Sequence, residues 1–231
     1  MLKLEEIAPG MTDRAAFVGQ TGSGKTTLAQ EVCRLRPWVV AFDPKGMLEW
    51  DGYERHERLA ALTKAKRPRL IYRPVYDELA DEETVDAFFE WVYERRNCVL
   101  YVDEVYAIAQ GDSYPWFFGA CLTRGRERGI AVYIASQRPS RVPQVMLSES
   151  EHVYTFNLKL PQDRERMADV TGLDETTLQL PKHEFWYAPQ VGEVRGPLKL
   201  SLGKSSGSSV SLEIPGRSRA EDHHVGEALR T

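Results

Sequence analysis

The chain has 231 residues, 42% of them hydrophobic and 28% charged, with a formal net charge of −4. That is the make-up of a soluble globular protein long enough to bury a core without disulfides, and it excludes a globally basic nucleic-acid coat, though not a local basic loop. The longest apolar runs, such as "AVYIA", are far too short to cross a bilayer, and "MLKLEEIAPGMTDR" is no secretory signal, so a cytoplasmic location is expected.

In chain order, "AAFV" reads as a strand running into a glycine loop, and Lys25 to Leu35 as the helix that follows. "WVVAF" is a second strand, closed by "DPKG", and "RLIYRPV" a third, bounded by prolines. "ADEETVDAFFEWVYERR" is an amphipathic helix, with acids in its first turn and arginines in its last to match the macrodipole. Its Val85, Phe88, Phe89 and Val92 follow helical spacing and belong to the core. "CVLYV" is a buried strand ending in Asp103-Glu104, and "PWFFGACLTRGRER" is helical towards its end, interrupted by Gly119 and Gly125. "IAVYIAS" and "HVYTFNL" are further strands, "DRERMADVTG" is a polar helix, and "EFWYAP" is a strand returning to the sheet or its edge. This alternation predicts an α/β fold with a central, mostly parallel sheet flanked by helices. Residues 1–200 form the globular domain, and 201–231, rich in Ser, Gly and charge, read as a low-complexity, flexible tail. Cys33, Cys98 and Cys121 have no metal-ligand spacing and read as buried, reduced thiols. His223-His224 lie in the tail and read as no site.

Gly19-Gln20-Thr21-Gly22-Ser23-Gly24-Lys25-Thr26 fits the phosphate-binding loop pattern in full, and Thr27 extends it into the helix. Consecutive backbone N–H groups must point inward at phosphate oxygens, which a tight loop without bulky side chains permits. The helix start adds its positive dipole end. Lys25 reaches the β- and γ-phosphates, and the Thr26 hydroxyl ligates Mg²⁺. "CVLYVDEVY" supplies two acids at the carboxyl edge of the sheet, where such folds bind ligands. Asp103 is the second Mg²⁺ group and Glu104 the general base for the attacking water. This pair points to ATP hydrolysis. A guanine-reading Asn-Lys-x-Asp is absent, as is an ABC-transporter signature. "YIASQRP" places Gln137 beside Glu104 if their strands are neighbours, where its amide senses the γ-phosphate or the lytic water. Upstream, "TRGRERG" offers Arg124, Arg126 and Arg128, with Arg126 the first candidate and Arg124 the second for an arginine that stabilises the charge on the transferred phosphoryl group, in its own subunit or a neighbour's.

Four motifs in order, "GQTGSGKT", "FDPKG", "LYVDE" and "ASQRP" preceded by "GRERG", resemble the FtsK/HerA superfamily of ring-forming, DNA-pumping ATPases. The resemblance spans about residues 14 to 160. The small size looks most like the genome-packaging ATPases of membrane-containing, tailless viruses. The resemblance implies a RecA-like core, a hexameric ring, ATP and Mg²⁺, and double-stranded DNA in the pore. It also implies a Gln sensor at Gln137 and a trans-acting arginine among the three. A capsid or viral-membrane portal protein would be a further partner. There is no FtsK-type winged-helix domain and no HerA-type N-terminal barrel. "TKAKRPR", with Lys64, Lys66, Arg67 and Arg69, is a candidate phosphate-contacting loop, and Ala109 to Pro115 a candidate pore loop. Two other functions stay open: a phage assembly or secretion ATPase of the Zot-like type, and a nucleotide-dependent interaction module.

Overall fold

The computed structural model describes residues 2–109, 113–201, 211–213 and 215. Its elements, in chain order, are β1 (Leu2–Lys3), β2 (Arg14–Val18), α1 (Lys25–Arg34), β3 (Val39–Phe42), β4 (Glu54–His56), α2 (Leu59–Leu62), β5 (Arg69–Tyr72), α3 (Tyr76–Ala80), α4 (Glu82–Arg95) and β6 (Val99–Val102). After these come α5 (Trp116–Arg124), β7 (Ala131–Ser136), α6 (Gln144–Ser148), β8 (His152–Phe156), α7 (Pro161–Thr171), β9 (Glu184–Pro189), β10 (Arg195–Ser201) and β11 (Ser211–Glu213). All strands join one sheet in the order β1-β11-β10-β9-β8-β2-β7-β6-β3-β5-β4. From β8 to β4 the neighbours run parallel; β9, β10, β11 and β1 extend the sheet antiparallel beyond β8.

The central strands are largely apolar because both faces are covered. In β2, Ala16 and Val18 enter one core while Ala15 and Phe17 enter the other, the period-two alternation of a strand. One face is packed by α1 through Leu28, Ala29, Val32 and Cys33, together with Trp50 and Tyr53 of the loop after β3. The other is packed by α4, α5, α6 and α7, to which α4 gives Val85, Phe88, Phe89 and Val92. Burying each of those four side chains contributes about 1.5–3 kcal/mol. Helix α4 starts where predicted: the Asp81 side chain accepts from the Thr84 amide, Glu82 and Glu83 fill the first turn, and Arg95 sits in the last.

One reading needs adjustment. Helix α5 runs unbroken through Gly119, where Tyr114 fills the space a side chain would take, and ends before Gly125 as read. Strand β9 does return to the sheet, in an interior position between β8 and β10. Strands β1, β4, β10 and β11 carried no strong sequence signal. Of the segment read as a tail, Ser201 ends β10 and 211–213 pair with β10 and β1. The rest of it, His223-His224 included, lies outside the described residues, apart from residue 215. The three cysteines are free and buried, and burial pushes the Cys98 and Cys121 thiols up to about 12.

Candidate active site

Parallel register brings the carboxyl ends of β2, β7, β6 and β3 together. Val18 lies opposite Ser136, Val102 opposite Ile134, and Phe42 opposite Val102. Each motif follows its strand directly, so the residues after Val18, Ser136, Val102 and Phe42 converge on one edge.

The phosphate loop is pinned at both sides of its first turn. The Gly19 amide donates to the Ser136 carbonyl and the Gln20 amide to the Asn157 carbonyl, each at 3.1 Å. Gly19, Gly22 and Gly24 have φ of 153°, 72° and 105°, conformations that resist other residues. At Gly19 an added methyl would lie 2.5 Å from Phe156 Cβ. Helix α1 begins at Lys25 with no side-chain cap on its first-turn amides. Among the described residues the Gly22, Gly24, Lys25 and Thr26 amides donate to no backbone carbonyl outside the helix. The Ser23 hydroxyl is buried there without a partner. Uncapped amides and an orphaned hydroxyl at a helix start form an anion cradle.

Opposite the cradle stand the two acids. Glu104 is 2% exposed, with φ 51°. One of its carboxylate oxygens accepts from the Gln137 amide at 2.9 Å and the Ser136 hydroxyl at 3.3 Å; the other accepts from Lys45 Nζ at 2.9 Å. Asp103 Oδ1 accepts from the Tyr101 hydroxyl at 2.9 Å. Gln137 also takes a hydrogen bond from the Thr21 hydroxyl, at 2.7 Å, so it bridges the phosphate loop and the general-base candidate. β6 and β7 are indeed neighbours, as the reading of Gln137 required.

Burial sets the electrostatics. It lowers the Lys25 pKa, an effect that Glu104 and Asp103 oppose. Burial raises the Asp103 pKa, against the pull of the Tyr101 hydroxyl and Lys25. For Lys45, burial works against the ammonium, but the hydrogen bond and charge of Glu104 prevail, and its pKa is raised. Charged groups held in a half-dry pocket are what a polyphosphate and its cation would complement.

Lys45 is the site residue that sequence reasoning missed. "DPKG" served there only as a family signature. Asp43, fully buried, accepts from the Met47 and Leu48 amides and from Arg73 Nε, which fixes the turn. That turn delivers Lys45 to Glu104. A lysine three residues beyond a strand neighbouring the Asp-Glu strand was the available signal.

The arginines are not brought to this edge. Arg124 to Arg128 precede β7, at the amino edge of the sheet, and β7 itself spans about 17 Å. Arg126 pairs with Glu151, which also contacts Arg14. Arg128 stacks on Tyr93, 3.9 Å from the ring centre, and pairs with Glu94. Arg124 is exposed and pairs with no carboxylate among the described residues. Lys64, Lys66 and Arg67 are exposed at the same edge, while Arg69 donates to the Arg34 carbonyl. Of the candidate pore loop, 110–112 lie outside the described residues.

Comparison with known proteins agrees with this geometry. Residues 15–158 match the ATPase family associated with various cellular activities (AAA). The chain is 31% identical over 180 residues to the DNA packaging ATPase P9 of Enterobacteria phage PRD1, covering 75% of this chain and 77% of that protein. The fold resembles the genome packaging NTPase B204 from Sulfolobus turreted icosahedral virus 2 in complex with sulfate. There the TM-score is 0.68 at 13% identity, over 81% of this chain and 96% of that one. The same NTPase in complex with AMPPCP gives a TM-score of 0.65 at 14% identity, over 82% and 100% of the two chains. The matched span contains Lys25, Asp103, Glu104 and Gln137, and the chain belongs to the ATPase family associated with various cellular activities (AAA), as a P-loop ATPase.

Proposed function

We propose that this ATPase is an FtsK/HerA-type motor that drives double-stranded DNA into a preformed viral capsid. The observation that carries the reading is the 31% identity to a phage DNA packaging ATPase across three quarters of both chains. The site supplies the matching chemistry. The cradle of Gly19 to Thr27 and Lys25 bind the triphosphate. Glu104 takes the proton of the attacking water, Lys45 orients its carboxylate, and Gln137, whose backbone N–H donates to Glu104 and whose side chain accepts from Thr21, would sense the γ-phosphate.

The donors fit Mg²⁺. Among the described residues no group of three or more His, Cys, Asp or Glu side chains is arranged to hold a metal ion. A site of one carboxylate, one hydroxyl and substrate oxygens is the usual Mg²⁺ arrangement. Asp103 and Thr26 would hold the ion, which when bound offsets charge on the β- and γ-phosphates.

The position of Arg124 and Arg126, an edge away from their own cradle, supports action on a neighbouring copy in a closed ring, with a hexamer as the form the resemblance implies. The exposed Lys64, Lys66 and Arg67 suit sequence-independent phosphate contacts. A capsid or membrane portal protein would receive the ring. No described helix is long and apolar enough to cross a membrane.

The test is steady-state ATP hydrolysis with and without duplex DNA of unrelated sequences at several salt concentrations. Stimulation that weakens with salt is expected. A rate that duplex DNA never changes would remove the translocase reading while leaving the ATPase intact.

A further inference from the structure

One residue beside the phosphate cradle plays no part in the chemistry above. His183, in the turn before β9, is exposed and has φ 68°. Non-glycine residues are uncommon in that conformation, histidine less so than most, and those held there gather at ligand sites.

The surroundings here are the phosphate loop itself. Asn157, just past β8, makes two bonds: its carbonyl accepts from the Gln20 amide and its Oδ1 from the Leu180 amide, both at 3.1 Å. One residue thereby fastens the phosphate loop and the 180–183 turn together. At Gly24, a methyl would lie 3.3 Å from His183 Nδ1 and 3.5 Å from Phe156 Cε1. The imidazole therefore stands against the last glycine of the cradle.

Strand order gives this contact a direction. The loop leaves β2. On its β7–β6 side lie Gln137, Glu104 and Asp103, the groups suited to the terminal phosphate. On its β8–β9 side lie Asn157 and His183. A nucleotide whose γ-phosphate faces the acids directs its nucleoside the other way. We propose that the Leu180–His183 turn holds the nucleoside end of the substrate, with the His183 ring stacked on the base. The assignment rests on the reading of Gly19 to Thr27 as a triphosphate site.

The test compares ADP with inorganic tripolyphosphate, which has phosphates and no nucleoside, in equilibrium binding to the full chain. His183→Gly is the first variant, since glycine takes this φ without strain, and its melting temperature should be no lower than that of the parent. ADP affinity should fall at least about fivefold, the loss of one stacking contact, with tripolyphosphate affinity unchanged. His183→Asn tolerates the left-handed backbone but has no ring, and the same selective loss is expected. Unchanged ADP affinity in both variants, equal loss for both ligands, or a loss in the glycine variant alone would overturn the assignment. A parent chain that binds neither ligand would instead sink the triphosphate site, and this assignment with it.

Discussion

The two edges of the sheet differ in how complete they are. The carboxyl edge gathers Lys25, Lys45, Asp103, Glu104 and Gln137 from four loops within one chain. The amino edge holds Arg124 and Arg126, which precede β7 and lie away from their own phosphate loop. A parallel sheet produces this division, because every loop after a strand emerges on one side and every loop before a strand on the other. Binding groups can therefore be assembled in cis, while on the function proposed above a charge-stabilising arginine from the amino edge would come from another copy.

The largest expected effect would break or establish that contrast. Arg126→Ala should keep ATP affinity and cut turnover by about 10³-fold or more, with Arg124→Ala next in order. Lys25→Ala should lose nucleotide binding. Mixing these two inactive chains should restore part of the hydrolysis, since the Lys25→Ala copy still offers its arginine. No recovery at any mixing ratio, measured as phosphate release, would place the arginine's role elsewhere.

A smaller effect sharpens the carboxyl edge. Glu104→Gln should retain ATP and lower turnover about 10²- to 10⁴-fold. Turnover near that of the parent would assign the general base to another group.

The smallest effect is on stability. Burial raises the Asp103 pKa, so the ionised form disfavours the folded state. The cost is full above the raised value and disappears as pH falls through it towards the ordinary carboxylate range. Asp103→Asn, measured without nucleotide or metal, should melt about 2–4 °C higher at pH 7, the shift of about 1 kcal/mol for a chain of this size. That gain should shrink as the pH is lowered. A variant that melts lower at pH 7 would show that the Asp103 carboxylate is stabilising.

The sequence made the cis edge legible because its motifs are local. Gly19 to Thr27 and Asp103-Glu104 each follow a strand at fixed spacing, and spacing survives without coordinates. Gln137 needed one further fact, that β6 and β7 are neighbours. Lys45 was less visible: a lysine in a turn acquires a role only once β3 is known to lie beside β6. The antiparallel flank was hardly legible. β10 contains Gly196-Pro197, and β1 and β11 are two and three residues long. Such strands exist through pairing, not through propensity.

By itself, then, the chain determined its phosphate loop, its acids and its alternating strands and helices, since these depend on short-range pattern and on the hydrophobic period. Only the tertiary structure decided which loops meet. It set Lys45 on Glu104, Gln137 between Thr21 and Glu104, and His183 against Gly24, and it left the arginines at the far edge. The physical reason is that strand order is fixed by packing both faces of a whole sheet, a property that no single stretch of residues carries.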